Sequence, residues 1–191
     1  MKSIQRFAGL LALLSLSFVS IASRAAPVNL ATLTCQKYQN EVLAAPGADQ
    51  KVDPINTVMW LFGYSVAKTG AHVMYGDALS SFGFALDAIC KSNPNESLQD
   101  ALAAVKHDEK NPMDLTTLDC GIFLQRHEEM VKSDKESAAT IMMWLFGFSV
   151  AKAGNHILDA DRLSAFETKF TTECRARPER SLFDTLSAVK I

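Results

Sequence analysis

The sequence predicts an all-α protein of two tandem four-helix units, each closed by one disulfide. Three observations predict it. A long segment recurs almost letter for letter, helix start and stop signals recur with it, and one pair of cysteines falls in each copy. No stretch alternates with period two for long enough to make a convincing strand.

The duplication sets the architecture. Met59-Trp60-Leu61-Phe62-Gly63-Tyr64-Ser65-Val66-Ala67-Lys68-Thr69-Gly70-Ala71-His72 recurs as Met143-Trp144-Leu145-Phe146-Gly147-Phe148-Ser149-Val150-Ala151-Lys152-Ala153-Gly154-Asn155-His156, with eleven of fourteen pairs identical at an offset of 84. The same offset carries Asp77, Leu79, Phe82 and Cys90 onto Asp161, Leu163, Phe166 and Cys174, and Pro94, Ser97, Asp100 and Val105 onto Pro178, Ser181, Asp184 and Val189. Upstream the offset becomes 85, which sets Leu33, Cys35 and Tyr38 against Leu118, Cys120 and Phe123. The repeats therefore span residues 32–106 and 117–191. Residues 107–116, polar and containing Pro112, read as a linker short enough that the units touch.

Each element has a local reason. Asp53-Pro54 supplies an N-cap and a proline at the first helical position of the second helix, and Gly70 and Gly154 stand where a left-handed residue stops it. Lys68 and Lys152 suit its last turn. Asp77 and Asp161 read as caps of a third helix whose Leu79, Phe82, Leu86 and Cys90, matched by Leu163, Phe166, Phe170 and Cys174, share one apolar face. Ser97-Leu98-Gln99-Asp100 and Ser181-Leu182-Phe183-Asp184 resemble capping boxes opening a short last helix.

Units this small bury little apolar surface, and cross-links are the usual remedy in an oxidising compartment. Four cysteines allow three pairings; the duplication selects Cys35 with Cys90 and Cys120 with Cys174, the same bridge in each unit. No cysteine has a near neighbour at zinc-ligand spacing, and no Cys-x-x-Cys pair suggests redox catalysis.

The N-terminus reads as a secretory signal peptide, residues 1–25. Lys2 and Arg6 precede an apolar run from Phe7 to Ile21, and Ser23-Arg24-Ala25 places small residues for cleavage after Ala25. Removing Lys2, Arg6 and Arg24 from the 19 Lys+Arg leaves 16 against 21 Asp+Glu, a mature charge of about −5 at neutral pH. That balance excludes binding driven by phosphate neutralisation, so no nucleic-acid partner is expected. With carboxylates neutral the same chain carries about +21. Such self-repulsion loosens compact states and interfaces.

The second helix of each unit is apolar on nearly every face and must be buried at neutral pH. Met59, Trp60, Leu61, Phe62 and Tyr64, with Met143, Trp144, Leu145, Phe146 and Phe148, are either core or a client-binding and inter-unit surface; flexible Met beside aromatic rings suits binding many partners. The run is too short for a membrane span. His72 and His156 occupy equivalent places after the helix-ending glycines. His156, Asp159 and Asp161 form a cluster better read as a helix cap than a metal site. There is no Gly-Lys-Ser/Thr phosphate loop, Gly-x-Ser-x-Gly elbow or His-Glu-x-x-His, so neither an enzyme nor a cofactor is expected.

One cysteine pair per unit, an early Leu-x-Cys-x-x-aromatic turn, a central Trp-Leu-x-Gly-aromatic helix ending in Lys-x-Gly, and a last helix after a Pro-containing turn resemble the HdeA/HdeB acid-stress chaperones, here in tandem. The resemblance implies a periplasmic, ATP-independent holdase of a Gram-negative bacterium that exposes apolar helices in acid to bind unfolded clients, with secretion as the other destination that the signal peptide allows. Because HdeA works as a homodimer of single units, it further implies a pseudo-dimer within one chain, or a homo-oligomer. The reading from another class is a periplasmic immunity or inhibitor protein that binds one specific partner.

Overall fold

The computed structural model describes residues 27–43, 54–75, 79–107 and 112–189. The signal peptide, Asp53 and Asp77 lie outside them. Two helical units follow one another, as the duplication requires. In unit 1, α1 (Cys35–Lys37) passes into a π-type turn (Tyr38–Leu43), followed by α2 (Pro54–Lys68), α3 (Leu79–Ser92) and α4 (Leu98–Ala104). In unit 2 the order is α5 (Cys120–Ser133), α6 (Lys135–Lys152), α7 (Ala160–Ala176) and α8 (Leu182–Ala188). The first helices differ most. Pro46-Gly47 follows the π-type turn in sequence, whereas α5 has no Pro and its one glycine, Gly121, is its second residue, and α6 begins after the single cap residue Asp134.

The start and stop signals act largely as their chemistry dictates. Gly70 and Gly154 take φ of 78° and 70°, conformations that only glycine adopts without strain. Ser97 and Ser181 each accept from the backbone N–H three residues on, at 3.1 Å. The reciprocal half of the box differs: the short Asp100 carboxylate accepts from the Ser97 hydroxyl at 2.7 Å. The third-helix cap in unit 2 is Asp159 and not Asp161. The chain leaves the preceding strand with Asp159 extended (φ −135°, ψ 115°), its side chain accepts from Asp161 N, and the helix starts one residue after it. Asp161 falls in the first turn, where it favours the helix dipole.

Both bridges form as the duplication selects them. Cys35–Cys90 joins α1 to α3 and Cys120–Cys174 joins α5 to α7, with Cα atoms 4.8 and 4.9 Å apart. Phe82, Leu86 and Cys90 in unit 1, and Phe166, Phe170 and Cys174 in unit 2, form the buried stripe behind each bridge. Further backbone bonds repeat across the units: Cys35 N to Glu96 O and Leu98 N to Leu33 O in the first, Cys120 N to Arg180 O and Leu182 N to Leu118 O in the second.

Four short strands also occur among the described residues, which the absence of period-two alternation does not anticipate. β1 (Val28–Asn29) pairs antiparallel with β4 (Ile157–Leu158), and β2 (Val73–Tyr75) with β3 (Pro112–Asp114). Strands of two or three residues carry too little sequence to show a period. Their partners lie in opposite units. The arm ahead of unit 1 reaches the strand after the central helix of unit 2, and the linker, ahead of unit 2, reaches the same place in unit 1. The linker is therefore part of the fold.

The arms extend the duplication: Pro27-Val28-Asn29-Leu30-Ala31-Thr32-Leu33 stands against Pro112-Met113-Asp114-Leu115-Thr116-Thr117-Leu118 at the offset of 85. Leu30 and Leu115 are buried plugs. Leu30 N donates to His156 O of the opposite unit while Leu30 O accepts from Gln99 N of its own; Leu115 does the same with His72 O and Phe183 N. Each arm thus straps the two units together.

Candidate functional site

The central helices α2 and α6 face each other and make the most extensive helix–helix contact among the described residues. A glycine in each allows it. A β-carbon on Gly63 would collide with Trp144 O and lie 3.1 Å from Phe148 N; one on Gly147 would collide with Trp60 O and lie 3.1 Å from Tyr64 N. The backbones therefore touch at the crossing, on a pseudo-twofold axis that exchanges the units.

Around the crossing the aromatic side chains interdigitate symmetrically. Trp60 meets Phe146 across the seam with centroids 6.5 Å apart, and Trp144 meets Phe62 at 6.4 Å. Phe62 stacks on Phe82 and Phe146 contacts Phe166, which joins the seam to the core of each unit. Trp60, Leu61, Phe62, Tyr64, Met143, Trp144, Leu145, Phe146 and Phe148 are buried, and Met59 packs half-buried against them. All ten residues expected on a client-binding or inter-unit surface thus sit on the two helices of this seam. Core and seam are here the same place.

Three polar features were not legible in the sequence. Buried Ser65 and Ser149 donate to Leu102 O (2.6 Å) and Leu186 O (3.0 Å), which satisfies carbonyls near the ends of α4 and α8 and locks each last helix to its central helix. Their matched positions were a signal, but one without a stated partner. Trp60 Nε1 and Trp144 Nε1 are buried and have no hydrogen-bond partner among the described residues. An unmade bond of this kind costs about 1–3 kcal/mol. The third feature breaks the symmetry: Tyr64 Oη and His156 Nδ1 lie 2.6 Å apart across the seam, whereas Phe148 occupies the place of Tyr64. Burial pushes the Tyr64 phenol up to about 12, with a smaller contribution from the charge of Asp100, so it stays a neutral hydrogen-bonding group at physiological pH.

Two tandem units, one disulfide in each, meet through a Trp-Leu-Phe-Gly crossing. The model of the HdeA/HdeB family matches this chain twice, over residues 7–100 and 99–184. The chain belongs to the HdeA/HdeB family. Members of that family are periplasmic acid-stress chaperones. No curated protein and no solved structure matches the chain. Among the described residues no helix is long and apolar enough to cross a membrane.

In this HdeA/HdeB tandem a second histidine, besides His156, bears on the seam. His107, the first linker residue, stacks on Phe62 and Phe82 at 5.5 and 6.1 Å, with Nε2 3.1 Å from Ser65 Oγ. Because the Ser65 hydroxyl donates to Leu102 O, its oxygen is left to accept from Nε2–H. Burial lowers the His107 pKa below the ordinary 6.5, and the Ser65 contact only partly offsets it. The folded chain then binds fewer protons than the unfolded one as pH falls below 6.5, so this contribution to stability is present above that value and lost on acidification. His107→Phe should flatten the decline of the urea midpoint between pH 7.5 and pH 5, and a decline as steep as that of the parent would remove His107 from the account.

Proposed function

We propose that the protein is a periplasmic, ATP-independent holdase, exported by residues 1–25 and without catalytic activity, that parts along the α2–α6 seam in acid and holds unfolded or acid-denatured periplasmic proteins on the helices it uncovers. Met59, Trp60, Phe62, Met143, Trp144 and Phe146 are the centre of that surface. The observation that carries the reading is the seam itself. The largest apolar side chains of both units are hidden between units, at an interface that, among the described residues, two short straps and the Tyr64–His156 hydrogen bond also span. Acid changes the mature charge from about −5 to about +21, which sets the units against each other. Opening also hydrates the two indole N–H groups that have no partner among the described residues. The disulfides keep each unit from unravelling, as a partly open, apolar-exposing state requires.

The test is to bring the oxidised mature chain from pH 7 to pH 2 while following tryptophan fluorescence, ANS binding and aggregation of an unrelated acid-labile client. Opening and client protection should rise together below about pH 4, where carboxylates lose charge. Trp144→Ala should weaken client holding in acid; a folded variant that holds clients as well as the parent would remove this surface from the reading. A chain that stays closed, or opens without protecting the client, would favour recognition of one specific partner at neutral pH.

A further inference from the structure

The two straps are counterparts in geometry but not in chemistry. Asn29 and Asp114 each fold their arm by accepting, through Oδ1, a backbone N–H two residues on: Ala31 N at 3.0 Å and Thr116 N at 2.8 Å. Asp114 Oδ1 also accepts from the Thr116 hydroxyl at 2.7 Å and lies 3.9 Å from His72 Nε2 in the opposite unit. Asp114 is the one titratable side chain in its arm, residues 112–118, and the arm at 27–33 has none. The Thr116 hydroxyl and then its N–H hold the Asp114 carboxyl below the ordinary range, with the charge of His72 a smaller cause. The sign follows: this stabilisation is present above the unfolded carboxylate value and lost as pH falls through the folded one.

The charged groups around each strap sharpen the contrast. Beside the linker strap stand His72 and, over the Phe183 ring that His72 meets edge-on, Lys152. Once Asp114 is protonated, His72 no longer faces a carboxylate there. Beside the N-terminal strap stand His156, Tyr64 with Asp100 behind it, and Asp159 paired with Arg162. The contact of His156 with Tyr64 involves no carboxylate. The Asn29 amide does not titrate.

We propose that acid releases the straps in a fixed order: the linker arm at Pro112–Leu115 leaves unit 1 first, while the N-terminal arm at Val28–Leu30 still holds unit 2. The chain then opens as a hinge about its N-terminal strap, so that unit 1 swings away from the linker arm, which stays on unit 2 through Phe183 N and Leu115 O, while the N-terminal arm keeps the halves in register. The proposal rests on acid opening of the same seam and names the element that yields first.

Hydrogen exchange of the oxidised full-length mature chain, read by mass spectrometry as protection factors from pH 7 to pH 2, tests it. Protection over residues 112–118 should be lost at a pH where residues 27–33 are still protected. Loss of both at one pH, loss of the N-terminal arm first, or protection of both down to pH 2 would overturn it. The exchanged pair Asn29→Asp with Asp114→Asn should invert the order, and a folded pair variant with the parent's order would also overturn it. Should that pair not fold, Asp114→Asn alone must bring the two releases together. Protection is read without a client. An ordered opening that protects no client would therefore defeat the holdase reading and leave the order standing.

Discussion

Alanine at Gly63 or at Gly147 is expected to part the two units at neutral pH. The added methyl would enter the space of the opposing backbone, Trp144 O in one case and Trp60 O in the other. A carbonyl in mid-helix cannot rotate away as a flexible side chain can, so the helices must separate along their length. Overpacking of this kind costs about 3 kcal/mol or more, and separation adds the exposure of Trp60, Phe62, Trp144 and Phe146. ANS binding and red-shifted tryptophan emission at pH 7, with a lowered urea midpoint, are the measurements. Gly83→Ala is the control: nothing lies within 4 Å of the new β-carbon and the site is inside α3, so about 1 kcal/mol of stabilisation is expected. A Gly63→Ala variant with the parent's midpoint and emission would show that the close crossing does not hold the units together. If the seam is the client surface, the same variant should protect clients without acid.

Removing a disulfide is the second large effect. Each bridge closes a loop of 55 or 54 residues, worth about 4 kcal/mol by loop entropy. The two losses should not be equal. Unit 1 begins with a three-residue α1, whereas α5 runs for 14 residues and lies along α6, α7 and α8. Cys35→Ser with Cys90→Ser should therefore cost more than Cys120→Ser with Cys174→Ser, and in acid it should turn a compact open form into an unfolded one. Far-UV circular dichroism at pH 2–3, beside urea titration at pH 7, separates the cases. Equal midpoints for both variants would mean that the long α5 adds nothing its counterpart lacks.

Much of this architecture can be read from the chain. The repeat, the helix-ending Gly70 and Gly154, the serine caps and the like-with-like cysteine pairing follow from local chemistry written twice. Elsewhere local chemistry underdetermines the outcome. Asp159 and Asp161 are equally good caps by composition, and the choice went to Asp159 because the strand before it delivers the chain extended at that residue. Ser65 and Ser149 show as matched letters, but their acceptors lie 37 residues away.

The amino-acid sequence by itself determined two helical, cross-linked units and which residues must be hidden. Helix caps, turn glycines and apolar stripes act within a few residues, so they leave a local record. The tertiary structure alone decided what hides those residues. A helix apolar on every side has no preferred face, so α2 and α6 could not announce from composition that they cross at Gly63 and Gly147. The reciprocal straps are likewise a tertiary decision. Arms of two or three residues have no periodicity of their own, and they become strands because the opposite unit offers a free edge beside a buried pocket for Leu30 or Leu115.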